Sequence, residues 1–202
     1  MDKILVTFFN NNFSNNKLNK MIMKKMTPAM MRSFAIAFAL FTTTGPAMAQ
    51  SNPSLTDPEV AHVAVVANQI DIGYADIAIK KSKDGEVVKF AETMKRDHTA
   101  VIEQAAALAK KLGVTPKDNA VSQKLLADAD KTKKSLNGKS GKAFNKAYID
   151  NEVAYHKAVI GAVEGLLIPE TDNAELKQLL QNVVPALKAH LGHAEMVQKN
   201  YK

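Results

Sequence analysis

The chain of 202 residues contains no cysteine. Disulfides, thiolate metal sites, cysteine nucleophiles and a lipobox-type lipid anchor are thereby excluded. The absence does not fix a compartment, because disulfide-free exported proteins are common. No convincing run of alternating polarity marks a strand. No nucleophile arrangement or dinucleotide fingerprint is visible. Gly138-Lys139-Ser140-Gly141 contains Gly-Lys-Ser, but it lacks the preceding strand and the upstream glycine of a phosphate loop, and Ser140 reads as a helix cap. Methionine is scarce where it would bear on function. Seven of the nine lie before residue 50, leaving Met94 and Met196, which speaks against a methionine-rich copper carrier.

The net charge of +7 invites a nucleic-acid reading, but it is unevenly placed. Residues 1–49 hold six basic residues and one acid, leaving 21 basic and 19 acidic residues from Gln50 onward. The remainder is nearly neutral, so no nucleic-acid partner is expected.

The first 49 residues read as a leader. Lys24, Lys25 and Arg32 precede an apolar run at 33–41, which is shorter than the about 20 residues needed to cross a bilayer. Thr42 to Pro46 and then Ala47-Met48-Ala49 complete the three-part layout of a secretory signal peptide. Cleavage is expected near Ala49, placing the chain in the periplasm or outside the cell. The Asn-rich stretch before Met21 reads most simply as the product of a start codon assigned too early. Residues 50–57 read as a disordered entry, and 58–200 as the folded domain, with no transmembrane span.

From there the pattern is helical throughout. Helices are expected over 58–82, with Asp57 capping and Pro58 at the first position, and over 85–112, with Asp84 capping and Gly113 stopping it. A shorter Lys-rich helix is expected over 120–136. A long one follows over 140–167, ending before Pro169. The last runs from Asp172, with Glu175 completing a capping box, to about residue 199. Pro185 should kink it one turn before His190. Four helices of about 25 residues, each close to 40 Å long, bury narrow apolar stripes best against each other. The fold class is all-α, a four-helix bundle with an extra short helix in the middle connection. The direction of the second hairpin relative to the first stays open.

Polar residues interrupt these stripes. His98 sits in the seam Val87, Ala91, Met94, Val101, Ala105, and His190 in the seam Leu180, Val183, Leu187, Ala194, Val197. Glu152 and His156 lie one turn apart between Ile149 and Val159, and Asp71 adjoins the stripe of Ala67 and Tyr74. Such groups are costly to bury alone. In one reading His98, His156, His190, Glu152 and Asp71 line a metal site for zinc, iron or manganese. In the other they form hydrogen-bonded pairs that fix helix register, such as Asp71 with His98.

Helical rise weighs the two. With the first reversal near residue 83, Asp71 and His98 differ in height by about 4.5 Å and can touch. With the second near 169, His156 and His190 differ by about 12 Å, which disfavours one compact site for all three histidines. His193 reads as a solvated neighbour of His190, and an Arg96–Asp97 pair as an ordinary surface feature. The lysines from Lys131 to Lys146 read as a solvated face, or more sharply as a contact for anionic envelope surface.

Several stretches together carry a family resemblance. They are Ala67-Asn68-Gln69-Ile70-Asp71, Phe90-Ala91-Glu92-Thr93-Met94, Asp97-His98-Thr99, Tyr148 to His156, and Pro185 with His190-Leu191-Gly192-His193-Ala194. The chain resembles the exported bacterial family of unknown function numbered forty-one forty-two, often labelled ferritin-like or putative outer membrane protein. The resemblance implies a ferritin-like bundle in the envelope or outside the cell and no established activity. Metal-carrying ferritin-like proteins use two Glu-x-x-His motifs in the bundle core. Here Lys95, Val153, Leu187 and His190 stand three residues before His98, His156, His190 and His193, which speaks against di-iron chemistry. The expectation is an exported, non-enzymatic, envelope- or stress-related protein binding an unidentified partner or ligand. The alternative is a metal-binding bundle.

Overall fold

The computed structural model describes residues 54–201. The leader and its cleavage site at Ala49 lie outside them. Five principal helices follow one another: α1 (Asp57–Lys81), α2 (Gly85–Leu112), α3 (Ala120–Asn137), α4 (Gly141–Ala162) and α5 (Ala174–Gln198). Among the described residues there is no strand, and no helix is long and apolar enough to cross a membrane.

Local chemistry sets most boundaries. The Asp84 carboxylate accepts from the N–H groups of Glu86 and Val87 at 3.0 and 3.3 Å and starts α2. Asn119 does the same for Val121 and Ser122 at the head of α3. Gly113 ends α2 at φ 65°, a left-handed conformation that suits glycine. Two caps differ from expectation. Thr56, not Asp57, caps α1, its N–H and hydroxyl both donating to Glu59. Asn173, not Asp172, caps α5, accepting from Glu175 and Leu176. Asp57 is used elsewhere. Its two oxygens accept from the N–H groups of Asp172 and Asn173 at 2.9 and 3.0 Å, joining the start of α1 to the loop before α5. Leu55 is buried and donates its N–H to Glu170 at 3.1 Å, so Leu55 to Asp57 are not part of the disordered entry expected over 50–57, whose residues 50–53 lie outside the described ones.

The end contacts fix the topology. At one end Lys81 reaches the Leu136 and Asn137 carbonyls, Ser82 meets Asn145, and Asp84 meets Tyr201. At the other end Asp57 meets the loop before α5, and Asn119 donates to the Glu59 carbonyl. Helices α1 and α5 therefore run one way, α2 and α4 the other. Helix α3 climbs beside α1 and carries the chain between the two hairpins, as a long crossover connection does in other bundles.

The core has two apolar parts. One contains Tyr74, Ala78, Val87, Phe90, Met94, Phe144, Tyr148 and Val197. The other contains Leu55, Val60, Val63, Ile160, Val163, Leu176, Leu180 and Leu187. On α2, α4 and α5 the chain passes from one part to the other at His98, His156 and His190. The Phe90 ring, 0% exposed, packs edge-on to Tyr148 at 6.2 Å and to His193 at 5.1 Å. Phe90→Ala is expected to cost about 3–5 kcal/mol, read from urea unfolding followed by circular dichroism. An unchanged midpoint would show that this ring is not central to the packing.

Helix α4 does not stop before Pro169. It passes through a π-helical turn (Val163–Leu167) into a last helical turn (Ile168–Glu170). A proline inside a regular α-helix clashes with the carbonyl four residues back. Here the turn that leads into the proline is π-helical, with Ile168 donating to Val163 five residues back. The reversal into α5 then falls at 171–173. Helix α5 is continuous through Pro185.

Candidate metal centre

Between the two apolar parts lies one polar layer. Asp71 on α1, His98 on α2, Glu152 and His156 on α4 and His190 on α5 are all buried, at 0, 4, 0, 1 and 8% exposure. The five residues singled out in the sequence are thus brought together. His98, His156 and His190 each offer a ring nitrogen within 4.8 Å of the other two. Their ring centroids stand 5.3–5.7 Å apart.

His156 and His190 do not stand about 12 Å apart in height, because α4 continues through the π-helical turn to Glu170. Counted from a reversal at residue 172, His156 and His190 differ by only about 3 Å at helical rise. Asp71 and His98 do touch as expected, Oδ2 lying 3.3 Å from Nε2, but no hydrogen bond joins the two atoms. The same oxygen is 3.6 Å from His156 Nε2.

The second nitrogen of each ring decides what the first can do. His98 Nδ1 faces Asn68 Oδ1 at 2.7 Å. The Asn68 amide is oriented by its own N–H donation to the Ala64 carbonyl at 2.8 Å, so His98 Nδ1 must carry the proton. His156 Nδ1 donates to the Glu152 carbonyl at 3.0 Å. His190 Nε2 donates to Asp97 Oδ2 at 3.1 Å. That leaves His98 Nε2, His156 Nε2 and His190 Nδ1 with lone pairs, and each is buried without a hydrogen-bond partner. All four carboxylate oxygens of Asp71 and Glu152 are likewise unpartnered.

Burial governs the protons of the group. It pushes His98 down to about 3, helped by the neighbouring histidines, and His156 down to about 4. It lowers His190 too, against the pull of Asp97. It raises Asp71 to about 7, and raises Glu152 well above its ordinary value, with Asp71 adding to the effect. The layer therefore sets neutral imidazoles beside carboxyl groups that hold their protons.

Two contributors escaped the sequence reading. Asn68 lies one turn from Asp71 on the same face of α1, a spacing that could have flagged it. Asp97 points away from its neighbour His98, and no pattern along α2 announces that it meets α5. It is not merely paired with Arg96 at 2.8 Å, because it also holds His190. Burial opposes the charge on Asp97, but Arg96 and His190 keep its carboxyl below the ordinary value. His193 is half-buried against Phe90 and takes no part in the layer. His62 lies elsewhere, 3.0 Å from the Ser122 hydroxyl. In the basic stretch, Lys131 and Lys146 pair with Asp128 and Asp150.

No curated protein sequence matches this chain. Among solved structures, CopM in the Cu(II)-bound form aligns over 73% of this chain and 100% of its own, with a TM-score of 0.55 and 17% identity. At that identity the likeness is one of fold, an all-α bundle. Residues 42–197 match the model of a family described as a domain of unknown function, DUF4142. That span takes in nearly all of the five principal helices, the five residues of the polar layer, and Asn68 and Asp97, and the chain belongs to the DUF4142 family.

Proposed function

We propose that this protein is an exported metal-binding bundle that holds one divalent transition-metal ion, Cu(II) foremost, between its two apolar cores. One observation carries the reading. Three buried imidazole nitrogens from three helices converge with their lone pairs free, and each ring is held by an acceptor on its far side. Such outer partners fix the tautomer and aim of metal-binding histidines. Asp71 Oδ2 completes the set. Asp71 Oδ2 lies 3.3 and 3.6 Å from two of the nitrogens, close enough for one ion to bind all three atoms.

Charge supports a single ion. Asp71 and Glu152 together bring two negative charges once deprotonated, and one divalent cation balances them. A nitrogen-rich set binds Cu(II) more strongly than zinc, iron or manganese. The shared fold with a protein known in a Cu(II)-bound form supports the same class of ion. A set of three imidazoles and a carboxylate inside a buried layer favours holding the ion over presenting it to a substrate. A register-fixing network alone would leave these lone pairs and carboxylate oxygens without partners. The unidentified envelope ligand expected from the sequence is, on this reading, the ion itself. The signal-peptide layout at 23–49 supports a place in the periplasm or outside the cell.

The test is elemental mass spectrometry of purified protein after incubation with Cu(II), Zn(II), Fe(II) or Mn(II) and exhaustive dialysis. About one copper per chain is expected, and no retained metal of any kind would sink the reading. Asn68→Ala and Asp97→Ala are each expected to weaken Cu(II) binding about 10–100-fold, because they release a ring that the ion needs aimed.

Affinity should also depend on pH with a definite sign. Below about 7 the metal-free protein holds a proton on Asp71, and binding must displace it. His98 and His156, lowered to about 3 and about 4, carry none at pH 5 and add nothing to the slope. Apparent Cu(II) affinity is therefore expected to fall by at least about tenfold for each pH unit from 7 to 5, and more steeply where Glu152 also gives up a proton or His190, lowered from its ordinary value, takes one up. A chelator-competition titration at several pH values reads this directly.

A further inference from the structure

The seat formed by the three histidines leaves buried atoms unused. Glu152 is 0% exposed and neither of its side-chain oxygens has a hydrogen-bond partner. Asp71 Oδ1 is in the same state. The Tyr148 hydroxyl, one turn before Glu152 on α4, is buried without a partner as well. Asp71, Glu152 and His156 offer ligand atoms that all lie within 4.8 Å of one another, as those of the three histidines also do. Two overlapping sets of ligands therefore share the layer, one rich in nitrogen and one rich in oxygen.

They cannot both be filled. His156 is common to the two sets, and its Nδ1 is engaged with the Glu152 carbonyl, so it has one lone pair for one ion. Two divalent ions would also set four positive charges against two carboxylates in a buried layer, at a cost that one ion avoids. The sets differ in chemical preference. Carboxylate oxygens suit hard cations, and imidazoles suit copper and zinc.

We infer that Asp71, Glu152 and His156 form a second metal seat that takes a hard divalent cation of the Mn(II) class in place of copper, not alongside it. The inference rests on the metal-binding reading above. Its consequence is that the protein responds to the hardness of the ion by where the ion sits, with Glu152 the residue that distinguishes the two seats.

Mn(II) is the probe, because its six-line electron paramagnetic resonance signal in water is lost on binding. Wild-type protein is expected to bind about one Mn(II) per chain. One equivalent of Cu(II) should return the free Mn(II) signal. Glu152→Gln should weaken Mn(II) at least about tenfold while changing Cu(II) affinity much less. His190→Ala should do the reverse. Circular dichroism on each variant confirms that the helices remain. Copper bound with no Mn(II) uptake overturns the second seat and leaves the first standing. Mn(II) and copper held together in one chain overturn the exclusivity, and so the inference. Glu152→Gln losing both metals equally in a folded protein overturns the division between seats. No uptake of either metal is the distinct failure of the metal-binding reading itself.

Discussion

His98→Ala is expected to leave a folded bundle that has lost at least about a hundredfold in Cu(II) affinity. The change removes Nε2, one of three converging lone pairs, and vacates the position 3.3 Å from Asp71 Oδ2. It also strips Asn68 Oδ1 of its partner, which adds a stability cost of about 1–3 kcal/mol. The two effects separate in measurement. Chelator-competition titration reads affinity, and urea unfolding of metal-free protein reads stability. A histidine that served only to fix register would show the stability loss with no copper binding to lose in the parent protein. Unchanged copper affinity in a folded His98→Ala variant would remove His98 from the centre. His98→Gln is a useful companion, since its amide can still meet Asn68 but offers no imidazole lone pair.

Copper loading is expected to raise the thermal midpoint by about 8–16 °C at free Cu(II) about a thousandfold above Kd. Ligand excess of that size contributes about 4 kcal/mol when the unfolded chain does not bind. A domain near this size moves by about 2–4 °C for each kcal/mol. The large response has a structural cause. Without metal the layer holds His98 Nε2, His156 Nε2, His190 Nδ1 and the Asp71 and Glu152 carboxyl oxygens unpartnered in the middle of the bundle. One ion supplies a partner to most of them at once. Differential scanning calorimetry with and without copper checks the shift. The same experiment on His98→Ala should show little of it, and a full shift there would place the copper elsewhere.

Much of the fold was legible because its causes are local. Asp84 and Gly113 bracket α2 as expected, since a carboxylate beside free N–H groups and a glycine at positive φ act within one turn. The second hairpin was harder. Pro169 is a strong local stop signal, yet the helix continues through the π-helical turn and past it, and the reversal moves to 171–173. A shift of three residues changed the relative height of His156 and His190 from about 12 Å to about 3 Å. It thereby reversed the judgement on whether three histidines can share an ion.

The sequence by itself determined that the described chain is helical, where most helices begin, and which five polar residues break the apolar stripes. Spacing of 3.6 residues per turn and capping chemistry are properties of neighbouring residues, so they can be read along the chain. The tertiary structure alone decided that the five share one layer, that α3 climbs beside α1 to set the helix directions, and which nitrogen of each ring is free. Those depend on groups far apart in sequence. His190 owes its free Nδ1 to Asp97, and His98 owes its free Nε2 to Asn68. Nothing in the spacing along one helix states the height and rotation at which another helix packs against it, and that packing is what turns five buried polar residues into a candidate metal centre.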